Sequence, residues 1–199
     1  MRNQEDNLLA AGWKKRCESL SPEIRQRLDD LSRYFDCGER GHYELQYIKR
    51  SYALPETGDV FVCRAINHLY YCGVVLNAHI HNMIGDDMYV VLIFNTHADR
   101  IDPTAFTLDY ENILIEPVMI SRAMWTKGWF QNIMHLDELG DVPSYGFYKY
   151  CFQHPYWDEY DQKLETRPKY LTIGAATVYG LGYRITQELI IRGQLKDQD

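Results

Sequence analysis

The stretch Gly58-Asp59-Val60-Phe61-Val62-Cys63-Arg64-Ala65-Ile66 marks the point at which the sequence changes from helical to strand-like spacing. This short apolar run ends at Asn67-His68, a pair typical of a turn. Two similar runs follow at residues 69–76 and 88–94, and Gly85-Asp86-Asp87 forms a polar loop before the second. Runs of strand length with short connections predict an antiparallel meander.

Gly73 interrupts the second of these runs. A glycine inside a strand predicts a bulge or a sharp bend, as small barrels need at their corners. Further strands are predicted at residues 113–120, 129–134 and 145–152, and residues 156–161 are predicted to form a structured loop.

The first fifty residues have helical spacing, with one apolar stripe between Leu8 and Leu20. Ser21-Pro22-Glu23 predicts the start of a second helix, and Cys37-Gly38 predicts its end. A short C-terminal helix is predicted to begin at a Thr186 cap. The expected fold is α+β: an antiparallel, partly barrel-like β-sheet with an N-terminal helical layer and a short C-terminal helix.

The chain contains no internal repeat and no low-complexity linker. Its 199 residues suit one compact domain. We therefore expect a helical segment at residues 1–50 packed on a β-rich domain at residues 51–199.

Two features of the sequence predict a cytoplasmic protein with no membrane contact. No apolar run approaches the roughly 18 residues of a membrane span, and the N-terminus lacks the apolar region of a secretory signal. Five cysteines, an odd number without Cys-x-x-Cys spacing, predict reduced thiols rather than disulfides or zinc. We expect no cofactor.

Acidic residues are concentrated in one part of the chain. The net charge is -7, and residues 56–116 contain nine acids against Arg64 and Arg100 alone. Such a surface repels phosphate backbones, so nucleic acid is not an expected ligand. It would attract a basic protein partner and accelerate the encounter.

His79 and His81 are two residues apart and would share one face of a strand, where they could bind one metal ion. Further ligands would have to come from His68, His97 or the Asp86-Asp87 loop. Nothing in the spacing requires this arrangement, so we interpret them as exposed histidines and predict no metal site.

Cys151, His154 and Asp158 occur in the order of a thiol hydrolase. However, Cys151 ends an aromatic run and Pro155 follows His154, which favours a core thiol and a loop histidine. Gly180-Leu181-Gly182 lacks the further glycine of a dinucleotide site. We predict no catalytic residue and no enzymatic activity, and the hydrolase stays an open alternative.

The best candidate for a protein interface lies in an aromatic part of the chain. Residues 125–183 hold fourteen of the 27 Phe, Trp and Tyr residues, and aromatic side chains are favoured at interfaces. The predicted partner-binding residues are two aromatic and three acidic residues, with two further acids at a loop tip: Tyr156, Trp157, Asp158, Glu159, Asp161, Asp86 and Asp87.

The order of these segments resembles the immunity protein 26 family. The resemblance rests on Gly58-Asp59-Val60-Phe61, on Tyr71-Cys72-Gly73-Val74-Val75-Leu76 and on Val90-Val91-Leu92-Ile93-Phe94. Gly128-Trp129-Phe130-Gln131-Asn132-Ile133 and a tail from Pro168 to Arg184 extend it, so that it covers residues 55–195.

The resemblance implies a non-enzymatic antidote of bacterial polymorphic toxin and contact-dependent growth inhibition systems. Such a protein binds the C-terminal toxin domain of an effector delivered by neighbouring cells, and a basic nuclease domain would suit the acidic surface. Homo-oligomers are left open. An endoribonuclease toxin of the plasmid-maintenance type also begins with Gly-Asp and an apolar residue, but it has Arg-Pro where this chain has Tyr71-Cys72.

Overall fold

A computed structural model describes residues 7–149 and 154–195. Its centre is a five-stranded antiparallel sheet in the order β4-β3-β2-β1-β5. The strands are β1 (Asp59–Arg64), β2 (Tyr70–Asn82), β3 (Gly85–Ala98), β4 (Ile113–Ser121) and β5 (Phe130–His135). The predicted meander and the α+β class are confirmed. The sheet is open, because β4 and β5 lie at opposite edges and do not pair to close a barrel.

Gly73 lies in the bulge that the sequence predicts. It faces Phe61 of β1 and Ile93 of β3, and the β2–β3 register shifts between Tyr71 and Gly73. A Cβ atom on Gly73 would lie 2.4 Å from Cζ of Phe61 and 2.7 Å from the carbonyl oxygen of Leu92. A glycine is required here because the Phe61 ring occupies the space of a side chain.

A smaller sheet contains β6 (Tyr145–Tyr148), β7 (Tyr156–Trp157) and β8 (Tyr170–Thr172) in the order β7-β6-β8. The β6–β7 pair is antiparallel and the β6–β8 pair is parallel. The strand predicted at residues 145–152 ends at Tyr148, and its last three residues lie outside the described residues. Residues 156 and 157, predicted as part of a loop, form β7 because they pair with Tyr148 and Phe147.

In the part of the chain that the structure describes, four helices accompany the sheets: α1 (Leu8–Glu18), α2 (Pro22–Cys37), α3 (Ala123–Thr126) and α4 (Val178–Ile191). The predicted boundaries of α2 are confirmed, since the Ser21 side chain accepts from the backbone N–H of Ile24 and Gly38 has a left-handed φ of 73°. Short 3-10 turns occur at Arg40–His42 and Pro103–Ala105.

The predicted start of the C-terminal helix is wrong. Thr177, not Thr186, caps α4, and its side chain accepts from the backbone N–H of Gly180 at 3.0 Å. Thr186 is buried inside the helix, where its hydroxyl donates to the Gly182 carbonyl at 3.0 Å. Gly182 lies inside α4 and is needed for packing, because a Cβ there would lie 2.4 Å from the Tyr43 carbonyl oxygen.

Both faces of the five-stranded sheet are buried. On one face α3 and α4 pack against residues such as Phe61 and Tyr89, and on the other the smaller sheet contributes Phe147 against Val74 and Leu92. Helix α2 packs mainly on α4, through a cluster of Leu28, Leu31, Tyr43 and Ile190. None of the helices within residues 7–149 and 154–195 has the length and apolar character needed to cross a membrane.

Candidate partner-binding surface

The structure brings together the two segments that the sequence marks separately as partner-binding. The turn between β2 and β3 lies against residues 159–161. The Asn82 side chain donates to the Glu159 carbonyl at 2.8 Å, and the Met83 backbone N–H donates to the Asp161 carboxylate at 2.6 Å. Asn77 of β2 adds a bond of 2.9 Å to the Glu159 carboxylate and one of 2.8 Å to the Tyr160 hydroxyl. The hairpin turn and the 159–161 segment therefore form one clamped unit.

The turn after β7 is held by its own aspartates. One Asp158 carboxylate oxygen accepts from the backbone N–H groups of Tyr160 at 2.9 Å and Gln162 at 2.7 Å. Asp161 has a left-handed φ of 63°, and its carboxylate pairs with the Lys149 ammonium group. The same ammonium group lies 4.8 Å from the centre of the Trp157 ring.

Most of the predicted acidic contacts are thus already engaged within the protein, and Glu159 is bonded there by neutral donors. The Glu159 carboxylate accepts from the Asn77 amide at 2.9 Å and from the Tyr145 hydroxyl at 2.7 Å. Burial, and then the nearby Glu159 charge, raise the pKa of Tyr145, so its phenol remains a donor. Because both donors are neutral, the negative charge of Glu159 is not cancelled.

Asp87 belongs to a cluster at the base of the hairpin turn. His79 Nδ1 lies 2.7 Å from the Asp87 carboxylate, which also accepts from the Tyr89 hydroxyl at 3.0 Å, and His79 Nε2 lies 3.5 Å from Glu56. The hydrogen bond to Asp87 raises the pKa of His79; burial opposes it, and Glu56 adds to it. Burial acts to raise the pKa of Asp87, but hydrogen bonds from His79 and Tyr89 lower it overall. Of the predicted pair, Asp86 is the exposed acid.

Large apolar side chains stand exposed on this clamped unit. The exposed fraction is 67% for Met83, 42% for Ile84, 49% for Tyr160 and 63% for Ile173. Cδ1 of Ile84 reaches the chain next to Ile173, at 3.5 Å from the position of a Cβ on Gly174. We call these four residues and Asp86 the tip surface.

The sequence analysis missed the apolar part of the tip surface. A signal was present, since Met83 and Ile84 are two large apolar residues between Asn82 and Gly85, at a turn where polar residues are usual. Tyr156 and Trp157, which were predicted to contact a partner, are half-buried in β7. The partner-binding role of the seven predicted residues stays a prediction.

The alternative catalytic groups find little support in the described residues. The ring of His154 contacts the Leu164 carbonyl through Nε2, Asp158 closes its turn, and Cys151 lies outside the described residues. Cys63 and Cys72 are buried, and burial raises the pKa of the Cys72 thiol to about 12. Such thiols are poor nucleophiles at neutral pH.

The histidine pair does not form a metal site in the described structure. His81 Nδ1 contacts the His79 carbonyl at 3.1 Å, while the His79 ring faces Asp87 and Glu56. Across residues 7–149 and 154–195, no three His, Cys, Asp or Glu side chains are grouped in a way that could hold a metal ion. Arg64, one of the two basic residues in the acidic segment 56–116, donates from Nε to the His68 carbonyl at 3.2 Å.

These observations define a mixed α+β protein with an open antiparallel sheet and an exposed apolar surface that is held by hydrogen bonds and set among carboxylates. The family model described as immunity protein 26 matches residues 56–152, from just before β1 to just beyond β6. These residues belong to the immunity protein 26 family, as the resemblance predicted. The matched segment is shorter than the predicted 55–195 and excludes the tail. No curated protein and no solved structure matches the chain.

Proposed function

We propose that this chain is a non-enzymatic immunity protein that binds and neutralises a cognate bacterial toxin domain in the cytosol. The family membership of residues 56–152 supports an immunity role. The observation that carries the binding site is the tip surface, where four large apolar side chains are exposed on a hydrogen-bonded frame. We place the toxin contact there, together with the seven acidic and aromatic residues predicted from the sequence.

The composition of the tip surface supports this assignment. The energetic centre of a protein interface is apolar and is surrounded by a polar rim. Here Met83 and Ile84 provide such a centre, and Asp86 and Glu159 lie on its margin. Exposed apolar side chains that cluster in this way mark interaction sites on soluble proteins.

The hydrogen bonds that hold the hairpin turn against residues 159–161, which we call the clamp, favour tight binding. Residues 82–84 are fixed through Asn82 and through the Met83 backbone, so little of their conformational freedom remains to be lost on association. Preorganisation of this kind improves affinity because ordering costs are already met in the free protein.

The charges point to a basic toxin domain. The carboxylates of Asp158 and Glu159 accept bonds only from neutral donors among the described contacts, so they contribute a negative potential beside the apolar centre. A basic nuclease domain would be steered to this surface. Once bound, the immunity protein would exclude the negatively charged substrate from the toxin groove.

We expect the gene for this chain to lie immediately downstream of a large effector gene, and the test uses the C-terminal domain of that effector. We expect the wild-type chain to rescue cells that express this domain and to form a stable complex in gel filtration. The double variant Met83→Ala/Ile84→Ala should lose rescue and bind at least about 100-fold more weakly, the level expected for two interface anchors.

The matched control is Tyr52→Ala/Leu54→Ala, which removes side chains exposed to 68% and 49% elsewhere on the molecule. This control should leave rescue and affinity unchanged. Loss of binding in the control but not in the Met83/Ile84 variant would refute the tip surface as the contact. Absence of both rescue and complex with the wild-type chain would refute the immunity function for this effector pair.

A further inference from the structure

A cavity of about 470 Å³ lies between α1, α4 and the edge strand β4, away from the hairpin turn. Its apolar walls include Trp13 of α1 and Ile115 of β4. A second cavity of about 380 Å³ is lined by Leu171 and shares Trp13, Glu116 and Arg184 with the first. The two cavities therefore adjoin at these three residues. The first cavity is large enough by itself to hold a small molecule.

Most charged groups of the larger cavity already have partners. Arg16 makes a bidentate pair with Glu188 through bonds of 2.6 and 2.7 Å, and Arg192 Nε approaches the same carboxylate at 3.5 Å. Glu111 accepts from the Lys169 ammonium group at 2.9 Å. Arg184 and Glu116 are the two charged lining residues that remain.

Arg184 has an unusual environment. Its Nη1 atom is buried and has no hydrogen-bond partner among the residues that the structure describes. No carboxylate in the described part of the chain lies within ion-pair distance of this guanidinium, although the charge of Glu116 acts on it from farther away. Burial lowers the pKa of Arg184. Partial loss of water around the Glu116 carboxyl raises the pKa of that group. An unsatisfied buried donor on a charged group is costly, and a bound acceptor would remove that cost.

We propose that this cavity is a binding site for a small organic monocarboxylate, with the ligand carboxylate on Arg184 and its apolar body against Trp13, Ile115 and Leu171. Guanidinium groups match carboxylates in a planar, two-bond geometry. An apolar or aromatic body suits the indole and aliphatic walls.

The same residues argue against a phosphate-type dianion. Three glutamates and three arginines line the larger cavity, and Arg16 and Arg192 are already paired with Glu188. The second negative charge of a dianion would therefore face Glu116 without a free lining cation beyond Arg184 to compensate it. A monocarboxylate satisfies the unpartnered guanidinium with the smallest added charge. The larger cavity contains no residue of the tip surface, whereas the second cavity is lined by Ile173. The test below measures ligand binding without the toxin, so its failure is distinguishable from a failure of toxin binding.

The test follows the indole N–H signal of Trp13 by NMR while the full chain is titrated with phenylacetate. We expect a saturable shift with a dissociation constant of about 1 mM or tighter. Phenylacetamide, the neutral analogue, should bind at least about tenfold more weakly, because it cannot form the charged pair with Arg184. Phenylphosphonate should also bind more weakly than phenylacetate.

Two variants sharpen this test. Arg184→Met should weaken phenylacetate binding at least about tenfold, and Arg184→Lys should weaken it less because the charge is kept. Arg33→Met, at an exposed arginine of α2 that pairs with Asp30, is the matched control and should leave the affinity unchanged. If Arg184→Met fails to fold, the comparison of the three ligands on the wild-type chain still decides the matter.

Three results would overturn the proposal. They are no shift of the Trp13 signal at about 10 mM phenylacetate, equal affinities for phenylacetate and phenylacetamide, and tighter binding of phenylphosphonate than of phenylacetate. Unchanged affinity in a folded Arg184→Met variant would also exclude the assigned role of Arg184.

Discussion

The centre of the β2–β3 hairpin and its turn are built from the same two strands but are stabilised in different ways. At the centre, Val74, Val91 and Leu92 are fully buried, and the register is fixed by packing on both faces. At the turn, the hairpin is fixed by side-chain hydrogen bonds to residues 159–161, and its large side chains point to solvent. The difference shows that the centre of this hairpin is part of the scaffold, whereas its turn forms part of the proposed contact surface.

The most severe test of this comparison is a substitution at the centre. Gly73→Ala places a Cβ within 2.4 Å of Phe61 Cζ and 2.7 Å of a backbone oxygen that cannot move freely. We expect the free energy of unfolding to fall by about 3 kcal/mol or more, measured by urea denaturation. Gly12→Ala in α1, where no atom lies within 4 Å of the new Cβ, is the control and should be neutral or slightly stabilising. Similar effects at both positions would contradict the packing argument.

The next largest effect is expected at the clamp. Asn82→Ala removes the bond to Glu159 and the acceptor for the backbone N–H groups of Ile84 and Gly85. We expect a loss of about 1–2 kcal/mol in unfolding free energy and a weaker toxin complex, because the turn must then be ordered on binding. Ser19→Ala, which removes one exposed hydroxyl bond to the Arg16 carbonyl, is the comparison. A turn with unchanged NMR order parameters in Asn82→Ala would show that the clamp is not what holds it.

A smaller effect is expected from the exposed charge. Asp86→Asn keeps the shape of the tip surface but removes one carboxylate, so the association rate with the toxin should fall about two- to threefold while the dissociation rate barely changes. The association rate of the wild-type chain should fall as salt rises, because screening shortens the reach of the acidic surface. Rapid-mixing kinetics at low and high salt measure both quantities. An association rate that ignores salt would contradict electrostatic steering.

The smallest effect is a pH dependence at the base of the turn. His79 has a raised pKa in the folded protein, so its pairing with Asp87 and Glu56 is fully present below its unfolded pKa of about 6.5 and is lost as pH rises through the higher folded value. Asp87 has a lowered pKa, so its contribution is lost only as pH falls through that value. Both contributions are fully present in the pH range between the unfolded pKa of Asp87, about 3.9, and the unfolded pKa of His79, about 6.5.

Because the His79 side chain is 37% exposed, solvent screening limits this contribution to less than about 0.5 kcal/mol. We expect His79→Gln to flatten the change in unfolding free energy between about pH 6 and 8. His81→Gln, at an exposed histidine two residues away, should leave the profile unchanged. A profile that is altered by His81→Gln and not by His79→Gln would contradict the assignment.

The sequence predicted the centre of the sheet well, and the reason is local. Apolar runs such as residues 88–94 identify buried strands directly, and Gly73 is conspicuous within a run of large side chains. The start of α4 was predicted wrongly at Thr186. The role of Gly182 inside α4 is its approach to the backbone of Tyr43, which is 139 residues away in sequence and leaves no local signal.

The candidate site could be predicted only in part. Charge and aromatic content identified the acidic residues Asp86, Asp87, Asp158, Glu159 and Asp161, but their convergence depends on bonds such as that from Asn77 to Glu159. No local pattern encodes a contact across 82 residues. The same bonds show that several predicted carboxylates support the turn, which composition alone cannot distinguish from a partner contact.

The sequence separation between the bonded residues of the clamp also affects the order in which parts of the protein can fold. The β2–β3 hairpin is a local structure and is available for pairing as soon as residue 98 has been made. The bond from Met83 to Asp161 joins residues 78 apart, so the tip surface cannot be locked until the last third of the chain leaves the ribosome. A chain that stops before Asp161 would therefore contain a paired hairpin whose turn lacks this bond.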